Sequence, residues 1–285
     1  EDPPPAHQQG RDQPTERHQG RAFRTFDLFC EALVTHLGNR SLKAPLVVTV
    51  PKVRTPAKIA ELSAHLAART LPIRLEIMIE DPAGLVQLAE SCQAAGSWLG
   101  GVHFGPFDFL AQCGLNQGDL HHPLAQRAKQ DILLTVKGRV EPLLQRAVEL
   151  SDGPTTRLPI RPHRECQTAQ QQEQNDQALI AAWSEHKSNI HQSLSQGYSQ
   201  SWILHPAQLV SLHCSLAEIY SQNLSETVDR LGKFQNAQQQ ATRSSQEFDD
   251  SATIRVLVNR LRRAISYGVE VPPQGPQLVE YFADL

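Results

Sequence analysis

Glu80 and Asp108 are the two residues of this chain whose type and position most suggest chemistry, with Lys52 and His205 in similar positions. Each stands at the end of a short apolar run or just beyond it: LVVTVPK reaches Lys52, IRLEIMIE reaches Glu80, FGPFD reaches Asp108 and SWILH reaches His205. Carboxylates delivered from the carboxyl ends of neighbouring parallel strands can converge on one hard cation, at the end of the sheet where ligands bind. Mg2+ suits such a pair, because it takes one or two carboxylates and fills its octahedron with water and substrate oxygens. A plainer reading stands beside this one: Glu80 caps a helix starting at residue 82, and Asp108 opens a turn. Lys52 either stabilises negative charge developing on a substrate or pairs with Glu80 or Asp108. His205 either donates to a substrate or ties down a neighbouring loop. Period-two alternation puts Arg74, Glu76, Met78 and Glu80 on one side of their strand and Ile73, Leu75, Ile77 and Ile79 on the other.

These residues need a frame of alternating strands and helices, and the sequence supplies one. LVVTV (46–50), IRLEIMI (73–79) and Leu99–Phe104 read as buried strands. Between them, PAKIAELSAHLAA opens with Pro after Thr55 and reads as a helix over 56–68, and GLVQLAESCQAA reads as the next. Strand–helix–strand–helix–strand with short links predicts an α/β fold with parallel strands. Ahead of this frame, Phe23, Phe26, Phe29, Leu33 and Leu37 recur at helical spacing, while residues 1–20 show no periodicity and are expected to be disordered. Behind it, helices are expected over Leu134–Leu150, Ala178–Leu194 and Ala207–Tyr220, with SWILHP as a further strand. The polar, Gln-rich stretch 161–178 is expected as a surface insertion or linker, and 221–285 as a helical C-terminal extension.

Composition removes several classes of function. The chain has 285 residues, 40% of them hydrophobic and 20% charged, with a formal net charge of -3. That balance argues against a large nucleic-acid footprint. No apolar run approaches the roughly 20 residues that span a bilayer, and the opening EDPPPAHQQG has no leader pattern. Five cysteines without a CxxC pair exclude zinc ribbons and thioredoxin-type redox motifs and point to a reducing compartment, so a cytoplasmic protein is expected. Neither a Gly-rich phosphate loop nor an HExxH zinc motif occurs.

Four blocks carry a resemblance: LVVTVPKVRTPAKIAEL, LPIRLEIMIEDPAGL, GGVHFGPFDFLAQCGL and GYSQSWILHPAQL. In this order they resemble the HpcH/HpaI aldolase and citrate lyase β-subunit-like family, in particular an uncharacterised aldolase-like branch. The resemblance implies a TIM (β/α)8 barrel of the pyruvate/phosphoenolpyruvate-binding type over 21–220, here without its N-terminal units, since only about 45 residues precede LVVTV. It implies a metal-dependent carbon–carbon lyase that uses Mg2+ or Mn2+ to stabilise the enolate of a small keto or hydroxy carboxylic acid. By the same resemblance Glu80 and Asp108 are the metal ligands, Lys52 matches the strand-end PK motif, His205 with Pro206 and Gln208 matches HPxQ, and Asp152 matches a later DG turn. The family's substrate-binding arginine lies in the units that this chain lacks; Arg74 is the candidate substitute, with pairing to a neighbouring acid as its alternative. A homo-oligomer is expected, because an open barrel exposes strand edges. The contrasting expectation is an inactive barrel homologue with a structural or interaction role.

Overall fold

The computed structural model describes residues 16–283, apart from 68, 70, 117, 238–241 and 244–247. The chain divides after Val148 into two compact units, rather than at the expected boundary near residue 220.

The first unit opens with α1 (Glu16–Leu37). Residues 16–20, expected to be disordered, belong to this helix, and 1–15 lie outside the described residues. Alternating strands and helices follow: β1 (Leu46–Val50), α2 (Pro56–Leu66), β2 (Ile73–Ile79), α3 (Pro82–Val86), α4 (Leu88–Ala95) and β3 (Leu99–Phe104). The strands pair in parallel, with β2 between β1 and β3. On one face of β2, Ile73, Leu75, Ile77 and Ile79 are fully buried, and α4 packs on β2 and on α2. The opposite face carries Arg74, Glu76, Met78 and Glu80, as the alternation requires. A bulge interrupts the β2–β3 register: Leu75 faces Leu99, but Glu76 faces Gly101, so Gly100 is the extra residue. Glycine is needed there, since a Cβ would lie 2.8 Å from the Arg74 Cβ.

The unit closes with α5 (Pro106–Gln112), α6 (Pro123–Thr135), a π-helical turn over Val136–Val140 and α7 (Glu141–Leu144). The single helix expected over Leu134–Leu150 is therefore broken. Gln145 takes a left-handed conformation, φ 52°, which ends α7. Glu149–Asp152 then becomes β4, the first element of the second unit.

In the second unit β4 pairs in parallel with β5 (Gln200–Ser201). The expected SWILHP strand is thus cut short. Trp202 and Leu204 are exposed, and the Gln208 side-chain carbonyl accepts the Leu204 and His205 N–H groups, at 2.8 and 3.2 Å, where a ladder would otherwise take them. Helices α8 (Ala169–Ser195), α9 (Gln208–Ser221), α10 (Leu224–Asn236), α11 (Ser251–Ser266) and α12 (Gly275–Tyr281) form the bulk of the unit, with a two-residue ladder of β6 (Thr242–Arg243) and β7 (Phe248–Asp249) before α11. Ile190, Leu216, Leu231, Phe234, Ile254 and Leu261 build their common core. The expected helical character of 221–285 is present in α10, α11 and α12.

Most of the expected Gln-rich insertion is the start of α8. Glutamine is a good helix former, and the face that α8 buries includes Asn175, His186, Asn189 and Ser193, a stripe that hydrophobic periodicity cannot register. Asn175 holds the preceding loop: its amide accepts from the His163 N–H and donates to the His163 carbonyl, both at 2.9 Å. Thr168 caps the helix by accepting the Gln171 N–H at 3.2 Å. Thr168→Ala is expected to lower the stability of the second unit by about 1 kcal/mol, and Thr168→Ser to restore it. Urea unfolding followed by circular dichroism checks this, and equal midpoints for Thr and Ala would exclude the cap.

Among the described residues the parallel strands number five, three in the first unit and two in the second. Among the described residues the fold is α/β with parallel strands, fewer than the eight of a complete TIM barrel. No described helix is long and apolar enough to cross a membrane.

Candidate functional site

Three strand ends in the first unit meet at one place. After β1 the chain turns through Lys52, whose φ of 53° is left-handed and disfavoured for a residue with a Cβ. In that conformation the Lys52 backbone N–H donates to Glu80 Oε2 at 2.9 Å. Glu80 stands directly after β2 and is 8% exposed. Beyond β3, Gly105 donates its N–H to the Ile79 carbonyl at 2.9 Å, which draws the start of α5 against the end of β2. A Cβ at Gly105 would lie 2.6 Å from Glu80 Cγ, so the glycine leaves the space that the Glu80 side chain fills. Asp108, in the first turn of α5, lies near enough for its charge to act on the Glu80 carboxyl.

Burial raises the Glu80 carboxyl above its ordinary range, the Lys52 N–H opposes that shift, and the Asp108 charge adds to it. The Lys52 ammonium lies 3.6 Å from Asp108 Oδ1, with both side chains largely exposed. Such a pair is weak in water, so Lys52 remains available to a ligand. The geometry therefore brings Glu80, Asp108 and Lys52 together.

A second pair flanks them. Asp81, adjacent to Glu80, caps α3 by accepting the Ala83 N–H at 2.8 Å, and its other carboxylate oxygen pairs with Arg54 Nε at 2.8 Å. Neither residue was expected at the site. The signal for Asp81 was present: an Asp–Pro step before an apolar helix is an N-cap pattern. Arg54 had no signal, because nothing local shows which acid an exposed arginine will find. Below the carboxylates, Thr49 donates to Glu76 at 2.7 Å. His103 pairs in register with Met78 and is 1% exposed, and burial lowers its pKa to about 3, which keeps the imidazole neutral.

Arg74 is not brought to this group. It is the second residue of β2, six positions before Glu80, or roughly 20 Å along an extended strand. Its charge acts on Arg146 instead. His205 belongs to the second unit, where its Nδ1 accepts the Ala207 N–H at 3.2 Å. Asp152, at the end of β4, is buried and accepts the Ser193 hydroxyl at 2.6 Å. Gln208 is fully buried and donates to the Thr155 carbonyl at 2.9 Å, and Asn189 donates to the Thr155 hydroxyl at 2.8 Å. His205, Gln208 and Asp152 thus hold the loops that follow β4 and β5.

The donor set fits a hard divalent cation. Two carboxylates whose charges repel, one of them buried, place negative charge where a cation would relieve the repulsion. No group of three or more His, Cys, Asp or Glu residues suited to a metal occurs among the described residues.

A family model described as "Domain of unknown function (DUF6986)" matches residues 12–271. The chain belongs to the DUF6986 family. No curated protein matches this DUF6986 chain. Among solved structures it is similar to a citrate lyase from Burkholderia xenovorans LB400, with a TM-score of 0.60 and 22% identity over 82% of this chain and 68% of that one. It is also similar to the protein CitE from Mycobacterium tuberculosis, solved in complex with magnesium, acetoacetate and coenzyme A. That match has a TM-score of 0.53 and 18% identity over 76% of this chain and 68% of the other. At these identities the likeness is one of fold.

Proposed function

We propose that this protein is a divalent-cation-dependent carbon–carbon lyase acting on a small keto or hydroxy carboxylic acid. The observation that carries the reading is the convergence of Glu80, Asp108 and Lys52 at the carboxyl ends of three neighbouring parallel strands. Glu80 and Asp108 would hold Mg2+ or Mn2+. Such a cation supplies Lewis-acid stabilisation of the enolate formed when the carbon–carbon bond breaks.

The protein's own groups do the rest. The Lys52 backbone N–H fixes one Glu80 oxygen and so orients the carboxylate. The Lys52 ammonium, close to Asp108 and exposed, adds positive charge where the substrate oxygens would sit. Gly105 keeps the space beside Glu80 clear, and the neutral His103 beneath it adds no competing charge. The Mycobacterium tuberculosis protein similar in fold was solved with magnesium and acetoacetate, which supports a small carboxylic acid as the ligand class. Arg74 and His205 are left out of this proposed site.

The test is a turnover screen with β-hydroxy acids, α-keto acids and acyl-CoA esters in the presence of Mg2+ or Mn2+. Cation-dependent cleavage is expected from the wild type and not from Asp108→Asn. Absence of cleavage across the panel, or cleavage unaffected by chelation, would overturn the reading.

A further inference from the structure

We propose that His186 makes the contact between α8 and α9 an acid-sensitive latch, closed while its imidazole is neutral and released when the ring takes a second proton. The latch lies within the second unit and stands whether or not the Glu80 group binds a cation. His186 is fully buried on the inner face of α8, and its Nδ1 lies 2.7 Å from Ser211 Oγ on α9. The Ser211 hydroxyl has one proton to give and donates it to the Gln208 carbonyl at 3.0 Å. Nδ1 is then the nitrogen that carries the ring proton and donates to Oγ, while Nε2 holds the lone pair. Nε2 is buried and meets no hydrogen-bond partner among the described residues.

Protonation of Nε2 in the closed state would bury a charged donor that no described residue accepts from, at the full cost of desolvation. No neighbouring charge offsets this. On α8, Glu185 and Lys187 are exposed and paired with Arg157 and Glu218, and His191 acts on Glu218. Asp152 accepts the Ser193 hydroxyl, and His213 and Cys214 of α9 are exposed. Burial alone lowers the His186 pKa. The ring therefore gains its second proton when α8 and α9 part, and the charged ring then resists their return. Above about pH 6.5 neither state holds that proton; below it the opened state gains one that the closed state lacks, so opening becomes easier as pH falls. The same chain of hydrogen bonds continues through Gln208, whose side chain holds the Leu204 and His205 N–H groups and the Thr155 carbonyl. Opening thus frees the loops that follow β4 and β5.

Long-range proton–nitrogen spectra of the full chain with labelled histidine, recorded from pH 8 to pH 5, read the tautomer and the titration of His186. Its signal is the one that His186→Asn lacks. Asparagine keeps an amide N–H where Nδ1 stood and does not titrate; His186→Gln, which does not titrate either, replaces it where the asparagine variant fails to fold. The expected result is an Nδ1–H tautomer at neutral pH and a folded-state ring that stays neutral through the ordinary histidine value of about 6.5. Hydrogen exchange of the α8 and α9 amides, corrected for its intrinsic pH dependence, reads the opening. Between pH 6.5 and 5.5 opening should rise roughly three- to ten-fold more in wild type than in the variant. The comparison cancels other acid-sensitive groups, the buried His103 among them. A ring that titrates at or above about 6.5 in the folded protein, or an Nε2–H tautomer, overturns the inference. So does a variant that opens more readily by the same factor at every pH, which is what a merely structural histidine would give.

Discussion

Glu80→Gln is expected to weaken Mn2+ binding by on the order of 100-fold or more and, without divalent cations, to raise the melting temperature at neutral pH. The first effect follows from removing one of two carboxylates; loss of a partner that merely orients a metal ligand already costs about 10- to 100-fold. The second follows from the environment of the carboxyl group. Glu80 is buried, and although the Lys52 N–H favours its charged form, burial and the Asp108 charge together raise its pKa above the ordinary range. An acid whose pKa rises on folding contributes stability that is fully present below its unfolded value and lost as pH rises through its folded value. Ionised Glu80 therefore destabilises the metal-free fold at neutral pH, and glutamine removes that charge. The melting-temperature gap between variant and wild type should close as pH falls below about 4, the ordinary glutamate range. Calorimetric Mn2+ titrations and melts from pH 3.5 to 7.5 make both measurements. Unchanged Mn2+ affinity would remove Glu80 from the metal site. A lower melting temperature for the glutamine variant at pH 7 would show that the carboxylate is structurally required instead.

Gly84→Ala is expected to destabilise the first unit by about 3 kcal/mol, the upper part of the range for forcing an extra methyl group into a packed site. The methyl would lie 2.2 Å from the Val53 carbonyl oxygen. The obstacle is backbone, so no side-chain rotation relieves it. Relief requires α3 to separate from the 52–54 segment, which would move the Lys52 N–H away from Glu80 and Arg54 away from Asp81. Loss of Mn2+ affinity should therefore accompany loss of stability. Gly232→Ala, inside α10, is the control: a Cβ there meets nothing within 4 Å, and the exchange should add roughly 0.5–1 kcal/mol. Chemical denaturation of the three proteins checks the pair, and a Gly84→Ala variant as stable as wild type would show that α3 can shift freely.

The sequence was most informative where burial and period coincide. β1, β2 and β3 were found because parallel strands covered by helices read as continuous apolar runs. Glu80, Asp108 and Lys52 could be singled out because each follows such a run. Legibility failed where tertiary polar contacts replace apolar ones. The stripe of Asn175, His186, Asn189 and Ser193 hid the first turns of α8 within what read as an insertion. The Gln208 side chain ended β5 by taking backbone N–H groups that no propensity scale assigns to a side chain. Arg54 pairs with Asp81, 27 positions away in sequence, and Arg74 was drawn toward the site only by sharing a strand face with Glu80. A face is legible from the alternation, but position along the strand decides which end a residue serves.

The bulge at Gly100 acts on β3 as a one-letter insertion acts on a reading frame. Upstream of it Leu99 is in phase with Leu75; downstream Val102 and Phe104 are in phase with Ile77 and Ile79, and His103 with Met78. Were Gly100 to take a regular paired place in the ladder instead, every later side chain would change sides. Phe104 would leave the apolar face, and His103 would be forced into it. One residue without a side chain thus sets the phase in which β3 is read, and it lies four positions before the apolar–polar boundary that Gly105 and Asp108 complete.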